Sequence, residues 1–287
     1  PQVEDPMWTK TSFKDEDGLF NEPLLFALTE GKHTISLQSE RAMIAIEYVK
    51  LYNEEGYSAY AKPSDSELSA NANAETIKVQ GEAYSYTNSQ TLFPTYDRGN
   101  YLTEPSHPTK QRYNTVGDGT WDNSGQSITW ELDVETAGYY KVNIKARQNE
   151  LRGLYSNRRL YIDGEVPSDA FAQIKFYYDD DWISVVPEDD NGDPAYLYLD
   201  AGKHELTLEC IPGEIGESMR RLDNIVYVAN QYYMQILMIT GPSPDKYTDY
   251  YVHKEIPELL DVFRDLADQL REERAIIEDL AGVEGTK

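Results

Sequence analysis

Apolar and polar side chains alternate with period two in two stretches that match each other without a gap. The first runs Glu22-Pro23-Leu24-Leu25-Phe26-Ala27-Leu28-Thr29-Glu30-Gly31-Lys32-His33-Thr34-Ile35-Ser36-Leu37. The second runs Asp193-Pro194-Ala195-Tyr196-Leu197-Tyr198-Leu199-Asp200-Ala201-Gly202-Lys203-His204-Glu205-Leu206-Thr207-Leu208. Such alternation is the mark of a half-buried strand, and Gly31 and Gly202 stand where a hairpin needs a residue that tolerates positive φ. Upstream, Trp8 and Trp182 each precede a glycine, Gly18 and Gly192, across an acidic turn. Downstream, Met43 to Tyr52 parallels Met219 to Val228, and both end in an apolar run that reads as a strand. Each unit therefore predicts strand, glycine turn, strand, loop, strand. The repeat is too long and too divergent for a solenoid, so it predicts two related β-domains.

Ahead of the second copy lie further strand candidates at Ile77–Glu82, Ser127–Asp133, Tyr139–Arg147 and Arg159–Ile162, with turn signals at Ala137-Gly138 and Asp163-Gly164. The first copy has no such upstream half. Residues 1–52 read as the C-terminal part of a first β-sandwich module, with an accessory sheet as the alternative. Residues 53–74, around Lys62-Pro63-Ser64-Asp65-Ser66, read as a linker, and residues 75–230 as a complete β-sandwich. Residues 231–287 read as a linker and an amphipathic helix. After the breaker Thr240-Gly241-Pro242-Ser243-Pro244, the positions Ile256, Leu259, Leu260, Phe263, Leu266, Ala267, Leu270, Ile277 and Leu280 keep helical spacing, and Gly282 can stop the helix. A lone helix of this kind needs a partner, either the β-domain or further helices of a bundle.

Composition narrows the class. The 287 residues include 51 Asp and Glu against 26 Lys and Arg, a formal net charge of −25. That excess argues against nucleic-acid binding, which needs cations to neutralise phosphates, and against docking to an anionic membrane. It suits a soluble surface, a cation binder or a partner for neutral ligands. Tyrosine dominates the aromatic set, 23 against 7 Phe and 4 Trp, and its flat apolar face with a polar tip suits a wet binding surface. Cys210 is the only cysteine, so an intrachain disulfide and a cysteine-based zinc cluster are both excluded. No apolar run is long enough for a spanning helix. The opening Pro1-Gln2-Val3-Glu4-Asp5 has no basic and apolar regions of a signal peptide and no Met, so the chain reads as a mature or excised piece.

Five runs in the second unit carry a resemblance. They are Val79-Gln80-Gly81-Glu82-Ala83, the Gly-rich loop Val116 to Gly125, the strand Ile128 to Val134 with the turn Ala137-Gly138-Tyr139-Tyr140, the hairpin Tyr161-Ile162-Asp163-Gly164, and Leu222-Asp223-Asn224-Ile225. In order and type this set resembles the carbohydrate-binding modules of families six and thirty-five, jelly rolls of the galactose-binding type. Gln80 stands where a second acid often sits, and Tyr155 to Asp181 is longer and richer in Tyr than a minimal module. The run Trp8 … Ser12-Phe13-Lys14 … Asp17 to Pro23, with two modules before a helical segment, resembles the N-terminal extension of large bacterial extracellular solute-binding proteins of ABC transporters.

The resemblance implies a mainly β fold, a galactose-binding-like β-sandwich with a partial second β-module and a C-terminal amphipathic helix. It implies a structural Ca²⁺ between opening and closing strands, held by Glu82 and Asp223 within the six to eight oxygens calcium takes. It also implies a glycan site with Trp121, Asp122 and Asn123 in the Gly-rich loop, Asn224 after the closing acid, and Tyr113, Tyr155 and Arg158 in neighbouring loops. The plainer alternatives are Trp121 as an aromatic lid over the core, and Glu82 and Asp223 as ordinary exposed acids. His33 and His204, equivalent in the repeat, read as structural, as do Trp8 and Trp182. The chain has no His-Glu-x-x-His, Gly-x-Ser-x-Gly, phosphate-loop or dinucleotide motif. Acids are too plentiful for any pair to indicate a hydrolase. The expectation is a non-catalytic extracellular bacterial module that captures a glycan or oligosaccharide, working with a transporter or with further domains of a longer chain. The rival is a structural or interaction module that binds no sugar; a glycan hydrolase or lyase stands third.

Overall fold

The computed structural model describes residues 3, 5–15, 18–20, 22–38, 44–53, 56–70, 76–99 and 103–281. Asp17, Asn21, Met43 and Gly282, which the sequence reading used, lie outside them. The described strands are β1 (Tyr86–Thr87), β2 (Pro94–Thr95), β3 (Thr115–Val116), β4 (Ser127–Val134), β5 (Gly138–Tyr140), β6 (Ile144–Ala146), β7 (Tyr155–Ile162), β8 (Ile174–Tyr177), β9 (Ile183–Val185), β10 (Leu197–Leu199) and β11 (Gly202–Ile211). The main sheet has the order β1-β4-β11-β7-β8, and three two-stranded sheets, β10-β5, β2-β3 and β6-β9, accompany it. All these pairings are antiparallel.

The core joins the two layers. Ile128 and Trp130 of β4, Leu160 of β7, Phe176 of β8 and Leu208 of β11 pack with Leu197 and Leu199 of β10 in one buried cluster. The chain thus builds a mainly β sandwich of antiparallel sheets, in which the strands bury one face each against the other layer. The predicted hairpin at 193–208 forms: β10 lies on β5 with Leu197 opposite Tyr140, and β11 is the central strand between β4 and β7. Gly202 at φ +144° makes the turn between them. Asp163 and Gly164, both at positive φ, make the predicted tight turn after β7.

His204, just past the Gly202 turn, is held by that second turn. Its Nδ1 lies 2.7 Å from the Asp163 carboxylate, and its Nε2 is 3.0 Å from the Asp200 carbonyl. The hydrogen bond with Asp163 raises the imidazole above its ordinary value. Burial works to raise the Asp163 carboxyl, but the Glu205 amide and His204 carry it below its ordinary value. A raised His pKa contributes stability that is complete below about 6.5 and is lost as pH rises through the folded value; a lowered Asp pKa contributes above about 3.9. Melting temperature is therefore expected to fall as pH goes from 6 to 8. In His204→Gln that fall should shrink; an equal slope in wild type and variant would remove His204 as its source.

Three strand expectations are corrected. Ile77–Glu82 is not a strand: Gly81 and Glu82 form a turn, with the Ala83 amide donating to the Gln80 carbonyl at 3.0 Å, and β1 is the edge strand instead. Trp130 Nε1–H donates to the Gly81 carbonyl at 3.1 Å, which holds this segment across the end of the sandwich. Tyr139–Arg147 is split into β5 and β6. Leu222-Asp223-Asn224-Ile225 is not a closing strand but part of α2 (Ile215–Thr240), which follows α1 (Asp65–Ala70) in the chain. Pro212 and Gly213 end β11, and Gly213 at φ +67° sits so close to Asn157 that any side chain would collide with it. Beyond that break the chain is helical and packs on another helix, with Ile225 buried.

That helix is α4 (Leu259–Ala281), which follows the short α3 (Val252–Glu255). It covers the predicted amphipathic stretch and is not alone. Arg221 of α2 pairs with the buried Glu273 of α4, and Tyr232 meets Phe263 edge-on at 6.4 Å, so the two helices run antiparallel. The predicted linker also contains structure. Ser64 caps α1 in a capping box, its amide donating to Glu67 Oε2 at 2.8 Å and the Glu67 amide donating back to Ser64 Oγ at 3.4 Å. No helix among the described residues is long and apolar enough to cross a membrane.

Two N-terminal segments run over the sandwich. Lys14 pairs with the buried Glu209 of β11, and Glu22 pairs with the buried Arg159 of β7 at 2.5 Å. Tyr57 donates to Glu22 at 2.8 Å, Asp169 binds the backbone at Ser58 and Tyr60, and Lys62 meets Asp193 at 2.6 Å. The first copy of the repeat, by contrast, forms no named strand among the described residues.

Candidate functional site

The β2-β3 ribbon opens into the loop that carries the site. Pro94 pairs with Val116 and Thr95 with Thr115, and the two threonine hydroxyls lie 2.7 Å apart. Beyond the ribbon, the Asp97 amide donates to the Asn114 side chain at 2.7 Å and the Asn114 amide donates back to the Asp97 carbonyl at 3.0 Å. This clamp places Tyr96 and Tyr113 on the two legs of one loop. Between them is an open cleft of about 530 Å³ lined by Tyr96, Pro105, Gln111, Arg112 and Tyr113. Both tyrosines are exposed. Arg98 lies over the Tyr96 ring at 5.5 Å. Gln111 and Arg112 are exposed, with no hydrogen-bond or ion-pair partner among the described residues.

A rigid polar anchor stands behind Tyr96. Asp97 accepts from Trp182 Nε1–H at 2.6 Å, from Arg147 at 3.1 Å, and from the Gly99 amide at 2.6 Å, while the Arg147 guanidinium lies 5.2 Å over the Trp182 ring. Burial works to raise the Asp97 carboxyl, but these donors and the Arg147 charge hold it below its ordinary value. Trp182 therefore serves the scaffold and fixes the loop from the β8-β9 side, whereas Trp8, read from the repeat as its structural equivalent, is 71% exposed.

The predicted ligand residues do not converge. Tyr113 alone lines the cleft. Trp121 packs against the core, and the Arg158 guanidinium lies over its ring at 4.4 Å while donating to the Trp121 carbonyl at 2.9 Å. Trp121 Nε1–H is spent on the Gln126 carbonyl at 3.1 Å. Gly117 at φ +101° lets the loop turn there, and a side chain on it would press on the indole. Trp121 is thus the lid that was its plainer alternative. Asp122 and Asn123 are exposed in the same loop, bonded to each other at 2.8 Å. Tyr155 is buried, and its hydroxyl donates at 2.8 Å to Glu214 at the head of α2. Asn224 is on α2, beside a cleft of about 300 Å³ with Arg220, Arg221 and Gln269.

The calcium pair fares no better. Glu82 is half-buried, its Oε2 has no partner among the described residues, and burial pushes its carboxyl above the ordinary value. One shielded carboxylate oxygen would accept a cation. Asp223, however, is exposed on α2 instead of lying on a closing strand. Among the described residues no three His, Cys, Asp or Glu side chains gather in a metal-sized group. The two predicted ligands do not fit a shared calcium between strands.

Sequence reasoning missed Tyr96, Gln111 and Arg112. A signal was present: two Tyr with adjacent Arg, Tyr96 to Arg98 and Arg112 to Tyr113, flank a Pro-containing loop.

Solved structures with a similar arrangement include carbohydrate-active proteins. A family 35 carbohydrate binding module from Clostridium thermocellum is 12% identical over 47% of this chain and 85% of its own, with a TM-score of 0.34. A GH26-CBM35 β-(1,4)-mannanase from Podospora anserina is 13% identical over 48% of this chain and 24% of its own, at 0.34. A cycloisomaltooligosaccharide glucanotransferase from Paenibacillus sp. is 17% identical over 55% of this chain and 17% of its own, at 0.34. The chain thus spans under a quarter of each of these two enzymes. No residue role follows from similarity at this level. No protein-family model matches the chain, and no curated protein matches it.

Proposed function

We propose that this chain is a non-catalytic glycan-binding module whose site is the Tyr96–Tyr113 cleft. The observation that carries the reading is the placing of two exposed tyrosines beside the exposed Gln111 amide and Arg112 guanidinium in one open cleft of about 530 Å³. A sugar ring offers C–H groups to an aromatic face and hydroxyls to donors, which matches that lining. An open site buries little ligand surface, so affinity would be modest, and a longer chain would gain by presenting several such sites. The extracellular setting and a transporter partner belong to this proposal through the sequence resemblance alone.

The test is a glycan array followed by calorimetry on the best ligand. Tyr113→Ala and Tyr96→Ala should each weaken binding about tenfold or more, roughly 1.4 kcal/mol. Trp121→Ala should lower the melting temperature and leave the dissociation constant within about threefold, which is under roughly 0.7 kcal/mol. Absence of any glycan ligand, or loss of binding in Trp121→Ala alone with the fold intact, would overturn the cleft.

A further inference from the structure

The two copies of the repeat make the same turn and meet opposite surroundings. Gly31 has φ +135° and Gly202 φ +144°. His33 Nε2 lies 2.7 Å from the Thr29 carbonyl, and His204 Nε2 lies 3.0 Å from the Asp200 carbonyl, the same four-residue reach in both. The matching goes down to the inward-facing residues, but their burial does not. Leu197, Leu199 and Leu208 are 3%, 4% and 4% exposed; their equivalents Phe26, Leu28 and Leu37 are 64%, 51% and 47% exposed.

In the second copy the cover is known residue by residue. β5 lies against β10, β4 and β7 flank β11, Glu131 of β4 takes Lys203 at 2.7 Å, and Asp163 after β7 takes His204 at 2.7 Å. In the first copy Lys32 and His33 meet no carboxylate, and residues 24–28 and 32–37 enter no sheet, among the described residues. The Leu24 amide donates to the Phe13 carbonyl at 2.8 Å and Phe26 meets Phe13 edge-on at 6.4 Å; otherwise this run of alternating apolar side chains has backbone edges with no ladder among the described residues, a strand pair awaiting a sheet.

We infer that residues 22–37 are the final hairpin of a second sandwich and dock on a β-sheet half of the type that β4, β5 and β7 form. That partner presents an antiparallel strand pair with an apolar inner face. It carries an acid opposite Lys32 in the place of Glu131, and an Asp-Gly turn facing His33 in the place of Asp163-Gly164. The occupant is defined by the second copy, which shows what this sequence is shaped to cover, and it does not depend on glycan binding.

Two measurements test it. Hydrogen exchange on the full chain at low, monomeric concentration should show amides of 25–28 and 32–37 exchanging at least 100-fold faster than those of 197–199 and 202–211. Protection of the first copy in the monomer would overturn the inference, because this chain would then already cover it. Protection that grows with concentration would also overturn it, assigning the face to a second copy of the chain. In the second measurement residues 193–208 are replaced by the sequence of residues 22–37, a graft of equal length. The grafted hairpin should become protected at least 100-fold over its native position in the same chain. A graft that exchanges as fast as residues 22–37 do would refute a shared bed, since the same segment would then be rejected by the sheet it is held to fit.

Discussion

Phe171→Ala is expected to lower the unfolding free energy by about 3–5 kcal/mol, the range for emptying a large aromatic site in a packed core. Phe171 is the largest fully buried side chain and lies in the core cluster with Leu160 and Ile174. It sits in a single turn of 3-10 helix at Asp169–Phe171, just before β8. A turn tied through Asp169 to the crossing segment at Ser58 and Tyr60 cannot easily move inward to fill the void, so the cavity cost adds to the lost transfer energy. The melting temperature should fall by roughly 6–20 °C. Chemical denaturation would check this: an unchanged slope with a shifted midpoint identifies lost stability. A loss below about 1 kcal/mol would mean the site collapses.

Arg159→Ala is expected to cost about 2–3 kcal/mol and to free the N-terminal segments. The guanidinium is buried, pairs with Glu22 at 2.5 Å, donates to the Ala172 carbonyl at 3.2 Å, and lies 5.1 Å over the Tyr57 ring. Breaking a buried pair costs 3–5 kcal/mol when the abandoned charge stays buried. Glu22 is 41% exposed and can rehydrate, so the lower figure applies. Lys62→Ala, which removes an exposed pair with Asp193, should cost about 0–1 kcal/mol by contrast. Limited proteolysis separates the two: Arg159→Ala should be cut between residues 14 and 62 much sooner than wild type, and Lys62→Ala should not. Equal cutting rates would show that Lys14–Glu209 and the Asp169 bonds to Ser58 and Tyr60 hold the segments without Arg159.

How far the sequence could be read depended on whether the informative contacts were local. The β10-β11 hairpin was legible because alternation and a glycine turn are properties of adjacent residues. The same was true of α4, whose apolar stripe repeats over six turns. α2 was not legible, because Met219–Val228 was read through its likeness to Met43–Tyr52. That analogy overrode a helical spacing that Pro212-Gly213 should have announced. The cleft is half legible: Tyr113 is a candidate in the sequence, but Tyr96 reaches it only because β2 and β3 pair and Asp97 and Asn114 clamp the loop. Trp121 showed the opposite failure. A tryptophan in a Gly-rich loop looks available, and nothing local says that Arg158, far along the chain, will cover it.

The repeated hairpin also bears on how the molecule reaches its native state. During folding, the bed formed by β4, β5 and β7 faces two candidate strands pairs with the same turn. The native one is closer in sequence, but separation discriminates weakly: each doubling of loop length costs only about 0.6 kcal/mol. The choice must therefore rest on side chains such as Ala195 and Leu197, where the first copy has the bulkier Leu24 and Phe26. A first-copy hairpin seated there during refolding would have to leave before β10 and β11 could close the sandwich.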